Sequence, residues 1–225
     1  MANGNENSKL TNILLPHEWI LYLYDKQLFK KVVNRANFHA KPYHEVCTIK
    51  TVNDVMYIIK LMGCKALKNK MDDSDNKINL DMNDYIIMRK GIEPIWEDPK
   101  NCNGGTFTIK VDHHKGYELW ELFILYMMGE TLTYEMEFIN GITVSYIADY
   151  TNPVELNYTY IKIWDGKPER NKNQFLKCLP ISIYDKIKNE STMYSQNNKK
   201  KDFGENIISK IKPKNKKKGG FIKHY

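Results

Sequence analysis

The sequence predicts an α+β domain, in which helices cover one face of an antiparallel β-sheet. Short segments rich in β-branched and aromatic residues recur along the chain, and a few longer segments carry apolar residues at helical spacing. The strands come largely in consecutive pairs that helices separate, an order that favours an antiparallel sheet with helices on one face.

The first strand and the first helix are predicted at residues 18–24 and 51–62. "EWILYLY" (18–24) is aromatic and apolar enough for a buried strand. "TVNDVMYIIKLM" (51–62) begins with the N-cap candidate Thr51. Apolar residues then follow at helical spacing: Val52, Val55, Met56 and Ile59.

Two further strands flank a loop rich in proline and glycine. "DYIIMRK" (84–90) runs into the loop and "GTFTIKVD" (105–112) leaves it, so we expect a hairpin with a long tip. The loop sequence, "GIEPIWEDPKNCNGG" (91–105), contains two prolines and a glycine pair, which make a core helix or strand unlikely there.

The second half of the chain predicts two helices and three strands. "GYELWELFILYMMGE" (116–130) carries one apolar stripe and closes at a glycine, which indicates a helix. An antiparallel pair follows, "GITVSYIADY" (141–150) and "NYTYIKIW" (157–164), joined by a turn at Asn152 and Pro153. "PERNKNQFLKCL" (168–179), with Pro168 near its first turn, predicts a shorter helix, and "ISIYDKIK" (181–188) predicts a last strand.

Length and composition indicate one domain with tails. The chain has 225 residues, of which 42% are hydrophobic, and no linker divides it. We expect a flexible segment at 1–14, a folded domain at 15–190 and a tail at 191–225. The four cysteines show no C-x-x-C spacing, and no signal peptide or membrane-spanning stretch is visible, so a reducing, cytoplasmic setting is expected.

The positive charge lies mainly at the C-terminus. The net charge is +7, and residues 195–225 contain ten lysines against Asp202 and Glu205, so the rest of the chain is nearly neutral. Such a tail could follow phosphates, act as a nuclear-import signal, or simply be a solvated lysine run.

Trp96 and Glu97 are the candidate binding residues of the loop. An indole on such a loop is either tucked back into the core or held out as a flat surface for a planar ligand. A carboxylate beside it can accept hydrogen bonds from that ligand's edge. The residues alone leave both options open.

The chain resembles the translation initiation factor 4E family, the messenger RNA cap-binding proteins. The resemblance rests on "DYIIMRKGIEPIWED" with its following glycine pair, "TVNDV", "LWELFILYMMGE" and "IKIW", which occur in the family's order over residues 15–188. It implies a strongly curved antiparallel sheet of about eight strands, with about three helices on its convex face.

The resemblance also implies how the N7-methylguanosine cap would be bound. Trp96 would stack on the positively charged base, Glu97 would accept hydrogen bonds from its N1–H and 2-amino group, and Trp164 would lie against the methyl group. Family members usually carry a second stacking aromatic, commonly a tryptophan, on the loop before "TVNDV", but residues 27–50 of this chain contain no tryptophan. Tyr43 or Phe38 is expected in that role, with Tyr43 slightly favoured, and His39 lies nearby.

The family's phosphate-binding arginines are missing from this chain. Thr106 follows the glycine pair where the family has an arginine, and a second arginine position falls near Ile147. Lysines could replace them as point charges, and we expect this of Lys162, Lys214 and Lys216.

The family's third property is the binding of a helical peptide from a scaffold protein of the initiation factor 4G type or from a repressor. Val52, Met56 and Leu125 are the expected contact residues, with Met56 where the family has a tryptophan. Core burial of Met56 is the alternative.

Enzymatic activity is not expected, and neither is a cofactor or a metal. "VDHHK" places His113 and His114 on a predicted strand, where adjacent side chains point to opposite faces and cannot easily share one metal. No P-loop, nucleophile elbow or H-E-x-x-H motif occurs. A cap-binding translational repressor and a basic RNA-binding protein without cap specificity remain as alternative functions.

Overall fold

The computed structural model describes residues 13–25, 43–68, 83–148 and 156–197. Within these ranges, seven strands form one antiparallel sheet. They are β1 Leu14–Asp25, β2 Tyr43–Thr51, β3 Asn83–Arg89, β4 Gly105–Asp112, β5 Ile139–Ala148, β6 Leu156–Asp165 and β7 Ser191–Gln196. Their spatial order is β2-β1-β3-β5-β6-β4-β7.

Four α-helices pack on one face of this sheet. They are α1 Val52–Lys68, α2 His113–Met128, α3 Lys172–Cys178 and α4 Ile181–Ile187, and a short 3-10 helix covers Met136–Phe138. Alternate strand residues and the apolar stripes of the helices form a common core, which includes Trp19, Ile87, Phe107, Trp120, Phe123, Ile161, Phe175 and Ile183. We call this side of the sheet the helical face.

The other side of the sheet, which we call the second face, carries a smaller apolar cluster. Its members come from β1, β2, β3 and the residues just after β3: Ile20, Tyr22, Tyr43, Ile86, Met88 and Ile92. Because side chains alternate along a strand, Trp19 and Leu21 point to the helical face, whereas Ile20 and Tyr22 point to the second.

Helix α1 begins where its cap was predicted. The amide of Asp54 donates to Thr51 Oγ1 at 3.1 Å, and the amide of Thr51 donates to Asp54 Oδ2 at 2.9 Å. This reciprocal pair satisfies amide groups that a helix N-terminus otherwise leaves unbonded. The N-cap role of Thr51 is confirmed.

The fold class is confirmed, with differences in the elements. The described part of the chain has seven strands and four helices, against about eight and about three expected. Strand β4 matches its predicted range, and the antiparallel pairing of β5 with β6 is confirmed. Strand β2 was not predicted. Neither was β7, which lies within residues 191–225, so the sheet includes the start of the predicted tail.

Three predictions about the elements were wrong. Strands β3 and β4 do not form a hairpin, because β3 pairs with β1 and β5, whereas β4 pairs with β6 and β7. Residues 181–188 form helix α4 rather than a strand; Ile183 and Ile187 lie four apart and both enter the core. Helix α3 begins at Lys172, because Asn171 and Gln174 form its capping box.

Candidate functional site

The loop between β3 and β4 is organised around the buried side chain of Asn101, which is 1% exposed. Asn101 Nδ2 donates to the carbonyl of Glu93 at 3.0 Å and to that of Ile95 at 2.8 Å. Its Oδ1 accepts from Asn140 Nδ2 at 2.9 Å. One amide therefore bonds the loop to itself and to the start of β5.

Two further asparagines attach the same loop to the sheet. Asn140 Nδ2 also donates to the carbonyl of Lys100 at 2.8 Å. Asn197, which directly follows β7, donates from Nδ2 to the carbonyl of Asn101 at 2.8 Å. Its backbone N–H donates to the carbonyl of Gly104 at 2.9 Å. We call Asn101, Asn140 and Asn197 the amide cluster. None of them was singled out from the sequence, which contains no local signal for contacts between such distant residues.

Gly104 is needed where the loop passes β6. A Cβ at this position would lie 2.0 Å from the backbone oxygen of Asp165, far inside van der Waals contact. The glycine pair noted in the sequence therefore permits a close backbone approach, and this brings the loop next to the end of β6.

Trp96 and Glu97 lie on this anchored loop, and each carries one polar side-chain group. Trp96 is half-buried and Glu97 is exposed. Neither the indole N–H nor the carboxylate makes a hydrogen bond or ion pair with any residue that the structure describes. Among the described residues, the side chains that hold the loop are therefore other ones.

Trp164 lies near the end of β6, on the second face. Its Nε1 donates to Thr143 Oγ1 at 2.8 Å, which sets the orientation of the ring. The half-buried ring packs against the apolar cluster of the second face, and Ile95 of the loop packs against the same cluster. The structure therefore brings Trp164 and the Trp96 loop to one region rather than placing Trp164 in the main core.

Tyr43 is bonded to the loop as well. It is 9% exposed, and its hydroxyl donates to Glu93 Oε2 at 2.9 Å. Its ring meets that of Tyr22 edge to face, with centroids 5.7 Å apart. Most of its ring surface is covered in this arrangement. Phe38 and His39, the other candidates for a second wall, lie outside the described residues.

Of the three lysines predicted to contact phosphates, the structure describes only Lys162. Lys162 is half-buried and precedes Trp164 by two residues on β6, so both side chains lie on the second face. Thr106, at the position where the resemblance implied an arginine, is 7% exposed and is the β4 partner of Trp164. Lys214 and Lys216 lie outside the described residues.

A buried ionic cluster holds the segment that follows Trp164. Asp165 is 1% exposed; its Oδ2 lies 3.3 Å from Arg170 Nε and accepts from the Tyr194 hydroxyl at 2.8 Å. Burial raises the pKa of Asp165, although Arg170 opposes this effect. Glu135 pairs with both Arg170 and Lys167, and its bond with Lys167 lowers the pKa of Glu135.

The predicted partner-binding residues lie on the helices. Met56 of α1 is 51% exposed and Leu125 of α2 is 44% exposed, whereas Val52 is half-buried at the start of α1. Core burial of Met56, the alternative interpretation, is therefore wrong. These exposed apolar side chains belong to two helices that contact each other.

The two histidines are arranged differently from the prediction. Strand β4 ends at Asp112, and His113 and His114 begin helix α2, so the argument from strand alternation does not apply. Their ring centroids are 6.3 Å apart. Within the described ranges, no group of three or more potential ligands could hold a metal ion.

The helices described there are also too short or too polar to cross a membrane.

Comparisons with known proteins agree with this architecture. The family model described as eukaryotic initiation factor 4E matches residues 14–212. A protein of Acanthamoeba polyphaga mimivirus, described as a eukaryotic translation initiation factor 4E homolog, is 57% identical over 245 residues, which cover 94% of this chain and 90% of that protein. Eukaryotic translation initiation factor 4E-2 of Schizosaccharomyces pombe is 31% identical over 121 residues, which cover 52% of this chain and 42% of that protein.

Solved structures show the same fold at low identity. The Caenorhabditis elegans eIF4E-3 in complex with the 4E-binding protein Mextli has a TM-score of 0.57 and 18% identity, covering 84% of this chain and 95% of that chain. A complex of the same protein with Mextli and a cap analog gives the same values. Since the family model spans most of the sequence, the chain belongs to the eukaryotic initiation factor 4E family.

Proposed function

We propose that this protein binds the N7-methylguanosine 5′ cap of messenger RNA and recruits capped transcripts for translation initiation. The observation that carries the proposal is the presentation of Trp96 and Glu97. Both lie on a loop that the amide cluster anchors, and their polar groups bond to no described residue. Membership of the initiation factor 4E family supports the same conclusion.

The chemistry of the methylated base fits these two side chains. Methylation at N7 gives the guanine ring a positive charge, so an aromatic face attracts it by cation–π interaction as well as by stacking. A carboxylate beside the ring accepts hydrogen bonds from N1–H and the 2-amino group, which adenine does not offer in that arrangement. Trp96 would supply the face, Glu97 the carboxylate, and Trp164 the contact with the methyl group.

The second aromatic wall is assigned to Tyr43 or Phe38. Tyr43 would have to turn more of its ring outward to stack on a base, because it is 9% exposed and bonded to Glu93. Its present contacts suit a positioning residue that holds the Trp96 loop. Comparing Tyr43→Phe, Tyr43→Ala and Phe38→Ala separates the two roles, since only loss of the ring removes stacking.

The phosphates of the cap would be held by lysines. Lys162 lies on the same face as Trp164, and Lys214 and Lys216 would approach from the C-terminal segment. Lysine acts as a point charge rather than as a planar fork, so the grip would be less directional than an arginine pair and sensitive to salt.

We also propose that the helices bind a partner peptide. The exposed side chains of Met56 and Leu125, with Val52 beside them, offer an apolar surface to an amphipathic helix. The structural neighbour in complex with a 4E-binding protein supports this class of partner, and a scaffold of the initiation factor 4G type is the proposed one. The protein would act in the cytoplasm as a binding factor, without a catalytic step.

A calorimetric titration with the methylated cap nucleotide and with unmethylated GTP tests the proposal. The wild type should prefer the methylated nucleotide, and Trp96→Ala should weaken its binding by about fivefold to 150-fold, since stacking contributes about 1 to 3 kcal/mol. Tyr134→Ala, at an 82% exposed aromatic residue elsewhere, is the matched control. Equal binding of the two nucleotides, or an unchanged preference in Trp96→Ala, would refute it.

A further inference from the structure

Strand β6 carries a row of aromatic and basic side chains away from the helices. Ile161 and Ile163 are fully buried in the main core. Because side chains alternate along a strand, Tyr158, Tyr160 and Lys162 therefore lie with Trp164 on the second face. Tyr158 and Trp164 are six residues apart, so the row extends about 20 Å from the proposed guanine site.

Strand β4 adds a second lysine to this row. Lys110 is the cross-strand partner of Tyr160, and its neighbours Ile109 and Val111 are buried in the core, which turns Lys110 to the second face. Its Nζ lies 3.7 Å from the ring centroid of Tyr158, which is 40% exposed. This cation–π contact holds the ammonium beside the outer end of the row.

Hydroxyl groups from the neighbouring strands border the row. Thr108 of β4 and Thr143 of β5 both pair with Lys162, and Ser145 of β5 pairs with Tyr160. Ser145 is 3% exposed, and its Oγ has no hydrogen-bond partner among the residues described. The surroundings of the row are therefore polar, in contrast to the apolar cluster on β1, β2 and β3.

We propose that Tyr158, Tyr160, Lys162 and Lys110, which we call the β6 row, bind the single-stranded RNA nucleotides that follow the cap. The tyrosine rings offer stacking surfaces to bases, and the lysines offer charges to the phosphates between them, which is how proteins commonly hold single-stranded nucleic acid. The inference rests on the proposed function, because the guanine at Trp96 and Trp164 sets where the chain of nucleotides begins.

The arrangement also predicts low sequence preference. Stacking and phosphate contacts can be made with every base and every linkage, so neither depends on the identity of the base. The β6 row would thus add affinity for transcripts in general, in addition to what the methylated base contributes.

The test compares three ligands by fluorescence anisotropy or calorimetry: the methylated cap nucleotide, a capped tetranucleotide, and the same tetranucleotide without the cap. Wild-type protein should bind the capped tetranucleotide about tenfold more tightly than the cap nucleotide. Tyr158→Ala should remove most of this gain and leave the cap nucleotide unaffected, whereas Tyr158→Phe should retain the gain. Lys110→Gln should reduce the slope of log affinity against log salt by about 0.7 for the tetranucleotide.

Matched controls come from outside the row. Lys115→Gln changes an exposed lysine of α2 that pairs with Glu190 at 3.2 Å, and Tyr134→Ala changes an exposed tyrosine. Neither should alter the gain. If the wild type binds the capped tetranucleotide and the cap nucleotide equally, the β6 row is refuted while cap binding stands. If the wild type binds the methylated cap nucleotide no more tightly than unmethylated GTP, cap binding is refuted, and the uncapped tetranucleotide decides the row: unchanged affinity in Tyr158→Ala overturns it.

Discussion

Replacing Asn101 by alanine should destabilise the protein and weaken ligand binding together. The substitution removes the two bonds that Asn101 Nδ2 donates to the carbonyls of Glu93 and Ile95, and the one that Oδ1 accepts from Asn140. At about 1 kcal/mol for each bond, the free energy of unfolding should fall by about 3 kcal/mol. Carbonyls left without a partner in a buried place would add to this loss.

The assay is thermal and urea-induced unfolding, followed by titration with the methylated cap nucleotide. A loss of about 3 kcal/mol lowers the midpoint temperature by about 6 to 12 °C in a domain of this size. Affinity should also fall, because Trp96 and Glu97 depend on the loop for their position. Asn103→Ala is the matched control: it is the same substitution in the same loop, at an exposed residue. If both variants unfold within about 0.5 kcal/mol of each other, the amide cluster does not anchor the loop.

Two further predictions concern the helix cap and the glycine of the loop. Bonds from the amides of Lys50 and Thr51 lower the pKa of Asp54, so its contribution to stability is complete above about pH 4 and is lost as the pH falls through the lowered pKa. The difference in unfolding midpoint between wild type and Asp54→Asn should therefore shrink towards acid pH. Gly104→Ala should cost about 1 to 3 kcal/mol in urea-induced unfolding, because its Cβ would meet the backbone of Asp165 at 2.0 Å.

Each of these two variants has a control in the same chain. Asp112 precedes α2 without a side-chain cap bond, so Asp112→Asn should remove no cap and should leave stability nearly unchanged at neutral pH. Gly129→Ala would bring its Cβ to 3.1 Å from the carbonyl of Leu125, a milder approach than the one at Gly104, and should cost less stability than Gly104→Ala. A pH-independent effect of Asp54→Asn would contradict the assignment of its carboxylate, and equal effects of the two alanine variants would contradict the steric argument.

Local patterns in the sequence predicted many of the elements correctly. Strand β4 was predicted residue for residue, and α1 was predicted from its cap and its apolar spacing. The loop with Trp96 and Glu97 was predicted from prolines and glycines that act on their own backbone. The type of short elements was predicted less accurately. Residues 181–188, for example, have an apolar pattern that suits a strand as well as the helix observed.

The site could be predicted only in outline. Trp96, Glu97 and Trp164 were predicted as binding residues from motifs, and the structure places Trp164 and the Trp96 loop against one cluster. The amide cluster was missed, because its bonds join residues 39 and 96 positions apart. The burial of Tyr43 was not predicted either, since it depends on contacts with Tyr22 and with Glu93 from other parts of the chain.

By itself the sequence determined the fold class, most of the long elements and the presence of an indole and a carboxylate on a constrained loop. Hydrophobic spacing, caps and turn residues act over a few positions, so they can be read without knowing the path of the chain. Only the tertiary structure decided which strands are neighbours, why the loop crosses the sheet instead of closing a hairpin, and which side chains support it. These features depend on contacts between distant segments, which no local pattern encodes.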